Sequence, residues 1–466
     1  MGRSSVWPVI MGGALIMCTT SPLYAQSDRT NVPGMGMART SVISSSSLDA
    51  VGINPANLAS STGKTVTISF LPLGVHVGSN FLNYDLYTSY FTGIDTDSGR
   101  VGRYLTQADK DRILNAFPDG VGTAFTNVEF RLFGIAVEVP IGTFAFNITE
   151  QANAYARIPR DYASFVLLGN PPGSFRDFSQ TDAKASWTRT YAISYGMSLP
   201  TLTFIRTLDV GATVKLIQGF GYFGVERFGT SVATASNGVL TGVIHYSANA
   251  AGVDFLQDQK SGSNFNPFPA PAGIGYGIDL GVSTHITDFL YAGLSLTDFG
   301  TMQWTRNAIQ NSVDTTIVVD DPIGTGQWDA VEKTLRGNKH PVASFYSTLP
   351  TQLHAGAAIQ IDRLPGNEFF PGQLLVELDY TQGFQNTPAS TTTPRFSLGV
   401  EYHPLGWLPI RTGVSVGGTD VFNVAFGFGL HFGGFDFDLA TENATLLFAP
   451  RSFSYASLAL GMKVRI

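Results

Sequence analysis

The stretch Val421-Phe422-Asn423-Val424-Ala425-Phe426-Gly427-Phe428-Gly429-Leu430-His431-Phe432 decides the fold. Successive side chains of an extended strand point to opposite faces. Phe422, Val424, Phe426, Phe428, Leu430 and Phe432 therefore share one face, and Asn423, Ala425, Gly427, Gly429 and His431 share the other. The same two-residue period recurs on either side. In 455–466, Leu458, Leu460, Met462, Val464 and Ile466 oppose Ser457, Gly461, Lys463 and Arg465. In 394–403, Phe396, Leu398, Val400 and Tyr402 oppose Arg395, Ser397, Glu401 and His403. In 372–384, Leu374, Val376, Leu378 and Tyr380 oppose Gln373, Glu377 and Asp379. An apolar face recurs in nearly every segment, with ionisable residues opposite it. A soluble sandwich would need a second layer over each such face. A wall with its apolar side toward lipid and its polar side toward a lumen needs none, so the predicted fold is all-β, a transmembrane antiparallel β-barrel with an N-terminal plug segment.

About fourteen such segments are predicted, at 64–77, 125–139, 142–156, 185–199, 207–223, 274–286, 289–304, 351–361, 372–384, 394–403, 408–417, 421–432, 434–444 and 455–466. Every second connection is short: 140–141, 201–206, 287–288, 362–371, 404–406 and Gly433. The others include the long stretches 78–124, 157–184, 224–273 and 305–350. Short periplasmic turns alternating with longer outer loops are the habit of outer-membrane barrels, and an even strand count leaves both ends of the wall in the periplasm. Residues 228–251 also read as extended, which leaves sixteen strands open. Thr106 to Phe117 reads as a short helix with capping-box spacing at Thr106 and Asp109, and Trp328 to Leu335 as a second.

Composition agrees. Charged residues are 14% of the chain against about 25% in ordinary soluble domains, while glycine and phenylalanine reach 51 and 34 residues. Residues 1–25 read as a secretory signal peptide, with Arg3, an apolar run too short to span a bilayer, and a cut after Ala25. After it no apolar run reaches the ~18 residues of a membrane helix. The one cysteine, Cys18, follows Met17 rather than a small residue, which argues against a lipidated N-terminus, and the remaining chain holds no disulfide. A net charge of −7 excludes nucleic-acid binding on electrostatic grounds. The division is 1–25 signal peptide, 26–62 plug or hatch, and 63–466 barrel. Residues 26–60 are small and polar with no strand alternation, and a lumen of ~14 strands is too wide for its own side chains to fill.

Several motifs resemble chemistry and fail their context. Gly219-Phe220-Gly221-Tyr222-Phe223-Gly224 fits a dinucleotide loop, but no helix follows. Gly413-Val414-Ser415-Val416-Gly417 fits a nucleophile elbow and again leads into a strand. Asp95, Asp97 and Gly99 begin like a calcium loop, yet position twelve is Thr106. His285, His354, His403 and His431 fall on the predicted lumen face, where a wetted interior accounts for them without a metal. No nucleophile and base pair up, so neither enzyme activity, cofactor nor metal is expected. The lumen-facing candidates are Asp279, His285, His354, Glu377, Asp379, Arg395, Glu401 and His403.

Gly34-Met35-Gly36-Met37-Ala38-Arg39, followed by Ala50-Val51-Gly52-Ile53-Asn54-Pro55-Ala56-Asn57-Leu58-Ala59, resembles the N-terminal plug region of the FadL-like outer-membrane superfamily. That group includes long-chain fatty acid transporters and PorV-type proteins of the type IX secretion system. Leu105-Thr106-Gln107-Ala108-Asp109-Lys110, Leu296-Thr297-Asp298-Phe299-Gly300 with Trp304, and Leu349-Pro350-Thr351-Gln352-Leu353 point within it to an uncharacterised PorV-like family. The resemblance implies a barrel with a small hatch inside, and Asn54, Pro55 and Ala56 as the plug motif. It implies a channel or transporter in the cell outer membrane for a small hydrophobic molecule. The alternative is a non-enzymatic scaffold or shuttle for exported proteins. Expected partners are outer-membrane lipid, the barrel-assembly machinery, a small hydrophobic ligand and, on the second reading, secretion-system proteins. Ile466 stands where the commonest barrel-assembly signal has a terminal Phe.

Overall fold

The computed structural model describes residues 29–466 except 61–62, 98, 201–204, 253–268, 322–326, 336, 368, 419–421 and 449–453. The expected signal peptide and its cleavage site lie outside the described residues.

Fourteen strands close a ring. They are β1 (Val66–Ser79), β2 (Val121–Val139), β3 (Gly142–Pro159), β4 (Asp182–Leu199), β5 (Thr207–Phe228), β6 (Gly273–His285), β7 (Leu290–Trp304), β8 (Gln352–Gln360), β9 (Gln373–Gly383), β10 (Arg395–Leu405), β11 (Leu408–Gly417), β12 (Phe422–Phe432), β13 (Phe435–Thr441) and β14 (Tyr455–Arg465). Each pairs antiparallel with the next. β14 then pairs with β1, from Thr67 opposite Arg465 to Gly78 opposite Tyr455. Closure removes every free edge, which is what lets a sheet cross a bilayer, where no water is present to satisfy backbone groups.

Each of the fourteen predicted segments is one wall strand, and sixteen is ruled out by register. β6 pairs with β5 along its whole length, from Gly273 opposite Gly219 to His285 opposite Thr207. No edge is left between them for 228–251. Those residues form the strands 231–234 and 240–251 instead, and 240–251 pairs with the far end of β5 and with 309–319. With 175–177 and 338–341 they extend the sheet beyond the wall on the long-loop side.

The facing follows the sequence period. Phe396, Phe422, Phe426 and Leu458 point outward and are exposed, whereas Glu377, Asp379, Asn423 and Lys463 point inward and are buried. At the short-turn end Trp407 stacks on Phe432 with ring centroids 5.2 Å apart, part of an interfacial aromatic girdle. The turn after β12 needs two residues at positive φ, and Gly433 (φ +62°) and Gly434 (φ +139°) supply them. In the first long loop the helix Gln107–Asn115 starts at a complete capping box. The Thr106 backbone N–H and hydroxyl donate to the Asp109 carboxylate, which holds that carboxyl below its usual range. The helix Trp328–Leu335 is also present.

Candidate functional site

The lumen is occupied by the chain's own N-terminal residues. Residues 29–59 are almost wholly buried, although they belong to no strand. Their local form has local causes. Asn31 caps the turn Val32–Gly36, its side chain accepting the Gly34 N–H at 3.0 Å, with Pro33 in the first turn, where a missing N–H costs nothing. Asn54 caps Pro55–Ala59 in the same way, accepting the Ala56 N–H at 3.2 Å. Pro55 fixes its own φ and biases Asn54 to an extended form, so the corner is rigid. Leu48, Val51 and Leu58 pack against Ala136, Ala145 and Ala192 of the wall.

Polar contacts join this segment to the inward face. Asp379 on β9 accepts the N–H groups of Ser41 (2.6 Å) and Val42 (2.9 Å). Glu377, two residues earlier on the same face, accepts those of Ile43 (2.6 Å) and Ser44 (3.1 Å). Four consecutive backbone donors thus end on two buried carboxylates. A segment outside any sheet cannot satisfy such groups itself. Arg395 donates to the Arg39 carbonyl at 3.3 Å, and Asn54 donates to the Val282 carbonyl of β6 at 3.3 Å and to Val42 at 3.2 Å. Glu129 accepts the Thr30 hydroxyl at 2.9 Å, Arg29 meets Glu442 at 2.5 Å, and Asp49 pairs with Lys463.

Close approach of two backbones needs glycine, and the inward face supplies it. A Cβ at Gly211 would strike the backbone of Pro55, one at Gly413 the backbone of Met37, and one at Gly281 the side chain of Asn54. Gly36 and Gly427 lie against each other in the same manner. Gly196, Gly211 and Gly281 are neighbours in register across β4, β5 and β6. These positions carry no signal in the sequence beyond a high glycine count, since nothing there tells which glycine faces a second chain segment.

The remaining candidates form separate groups. Asp279 meets Lys215 at 2.8 Å, and Lys215 also meets Asp298 at 2.6 Å. Sequence reading missed the lysine, which is one strand away on β5, and took Asp298 only as part of a motif. Thr297 and Thr381 flank His354 at 3.1 and 3.4 Å. His285 stands at the short-turn end, edge-on to Tyr291 at 4.5 Å. Among the described residues Glu401 makes no hydrogen bond to the N-terminal backbone. It holds Arg411 at 2.5 Å and His403 at 3.0 Å, while Arg411 continues to Asp438 at 2.7 Å. With Ser44 to Ser46 and His431 these groups line a polar cavity of about 180 Å³ near the short turns. Among the described residues no three His, Cys, Asp or Glu side chains are gathered to hold a metal. In the dinucleotide-like stretch, Gly219 lies under Met302 and Trp304. Ser415 of the elbow-like stretch is a buried, inward residue of β11. Asp95 lies on the short strand Ile94–Thr96, which pairs with Gly99–Val101, and meets Arg100 at 3.2 Å.

Fold and site together define a closed transmembrane β-barrel whose lumen contains its own N-terminal segment. The chain belongs to the family of unknown function DUF5723, which matches residues 55–442. No curated protein matches the sequence. Among solved structures it is similar to a deletion mutant of the monoaromatic hydrocarbon channel TodX (12% identity, 93% of this chain and 98% of that one, TM-score 0.49). It is similar also to the Ralstonia pickettii toluene transporter TbuX (12%, 93% and 98%, TM-score 0.45). A third is a Pseudomonas aeruginosa FadL homologue (13%, 96% and 100%, TM-score 0.43).

Proposed function

We propose that the protein is a non-enzymatic outer-membrane channel of the FadL-like type for a small hydrophobic molecule, with residues 29–60 as its plug. The observation that carries this reading is the filled lumen. The filling is one continuous segment at the chain's start, held by side-chain contacts rather than woven into the sheet. Such a filling can shift without unzipping the wall. The outward apolar band supports residence in a lipid bilayer, and the sequence resemblance supports the outer membrane, with barrel-assembly machinery and outer-membrane lipid as partners. One observation favours the second reading, a PorV-like scaffold for exported proteins: the 180 Å³ interior cavity is lined by charged and hydroxyl groups and suits no apolar molecule. The test is mass spectrometry of small molecules that co-purify with the barrel, paired with single-channel recording after deletion of residues 30–60. A co-purifying apolar compound and a large, steady conductance in the deletion support the channel. No compound, together with unchanged low conductance in a folded deletion, rejects it.

A further inference from the structure

The first long loop folds back over the outside of the wall. Phe81 packs on the backbone of Gly122, which alternates with the buried, inward Thr123 and so faces outward. Phe81 in turn stacks on Phe117 with centroids 4.5 Å apart. The helix Tyr84–Tyr90 hangs beside the wall with Tyr84 and Tyr87 about half exposed. Between helix and wall runs a recess of about 580 Å³. That is within the ~300–1,000 Å³ range of small-molecule sites.

The recess exists because of what the wall carries there. Elsewhere outward positions hold Phe, Leu and Ile, as at Phe426 and Leu458. Under the helix they are small: Ala124, Thr126, Ala154 and Ala156, with Ala154 paired to Thr126 and Ala156 to Ala124. Two polar side chains at its rim are engaged by the loop itself, while the Thr126 hydroxyl lies on its floor. Ser79 accepts the Leu82 N–H at 3.2 Å, and Asn83 caps the helix through the Leu86 N–H at 2.8 Å. Water needs two to four polar partners to occupy a cavity, and an apolar cavity otherwise stays dry. The outward face of this wall meets lipid, and the recess is continuous with that face.

We propose that this recess is a binding site for the hydrocarbon chain of a membrane lipid, held between the small-residue floor and the overhanging tyrosines. The hydrocarbon chain covers largely apolar surface that no side chain covers, and the two phenol rings overhang it. The site is separate from the lumen, so its failure leaves the channel reading untouched.

The test introduces Tyr84→Trp and compares fluorescence in phosphatidylcholine vesicles with plain and with dibrominated acyl chains, subtracting the signal of the unmodified protein. The expected result is loss of most of the added fluorescence to bromine. Adding Ala154→Phe and Ala156→Phe, which fill the recess, should restore it. Fluorescence untouched by bromine but quenched by aqueous acrylamide would mean a water-filled recess and overturn the proposal. Bromine quenching that survives the two phenylalanines would mean surface contact only, and would also overturn it. Should the phenylalanine pair prevent folding, native mass spectrometry of the unmodified protein decides the matter. A retained phospholipid that Ala154→Val weakens supports the site, and no retained phospholipid rejects it.

Discussion

Removing the two carboxylates of β9 should release the middle of the N-terminal segment. Asp379→Ala deletes the acceptor of the Ser41 and Val42 N–H groups, and Glu377→Ala that of Ile43 and Ser44. Each buried backbone donor left without a partner costs about 1–3 kcal/mol. One substitution therefore weakens the docked state by roughly 2–6 kcal/mol, and the pair by up to twice that. Water entering the freed space lowers these figures, because a hydrated N–H is not orphaned. The anchors at Glu129 and Glu442 remain, so the segment should loosen between residues 40 and 46 rather than leave. The wall should tolerate the change, since alanine inserts no bulk and removes buried charge. The assay is single-channel recording in planar bilayers, with retained folding checked by heat-modifiable gel mobility. The double variant should show frequent openings absent from the unmodified protein, and each single variant fewer. A correctly folded double variant as quiet as the unmodified protein would refute the reasoning, because the carboxylates would then hold nothing that blocks the lumen.

The glycine contacts predict a similar effect from the opposite cause. Gly413→Val inserts bulk where Met37 touches the wall and should raise conductance while Ser415→Ala does not. The facing assignment predicts that Phe426→Arg, exposed on the lipid side, costs roughly 2–4 kcal/mol near the bilayer midplane. Asn423→Arg, directed into the lumen, should cost clearly less in equilibrium unfolding from lipid vesicles. Topology predicts that a peptide tag after Gly173 is labelled on intact cells and one at Gly433 only after the outer membrane is opened. The Asp109 carboxyl is held below its ordinary range, so its contribution to the Gln107–Asn115 helix is full above that range. It is lost as pH falls through the lowered value. Amide exchange there should quicken in acid, and Asp109→Asn should flatten that dependence.

Much of the fold was legible because a barrel wall repeats one constraint fourteen times. Lipid on one side and a wet, crowded lumen on the other impose the two-residue period on every strand, as Phe426 beside Gly427 illustrates. Short turns fix which strands are neighbours. The count was ambiguous at 228–251 because an outer hairpin obeys the same backbone preferences as a wall strand. Only the pairing of β6 with β5 excludes it from the ring. The candidate site was legible in kind and not in detail. The alternation placed Glu377 and Asp379 inside, but their partners are 333 to 338 residues away along the chain. Glu401 has the same pattern and a different role, because Arg411 comes within reach on the next strand.

By itself the sequence determined the class of fold, the facing of the wall strands and the local cap at Thr106. These depend on near neighbours along the chain or on a solvent that is the same everywhere outside the wall. Only the tertiary structure decided how residues 29–60 dock, which glycines they touch, which charges pair across the lumen and that a loop overhangs the wall at Gly122. Closing the ring brings together residues hundreds of positions apart, and no periodicity along a single strand records which of them will meet.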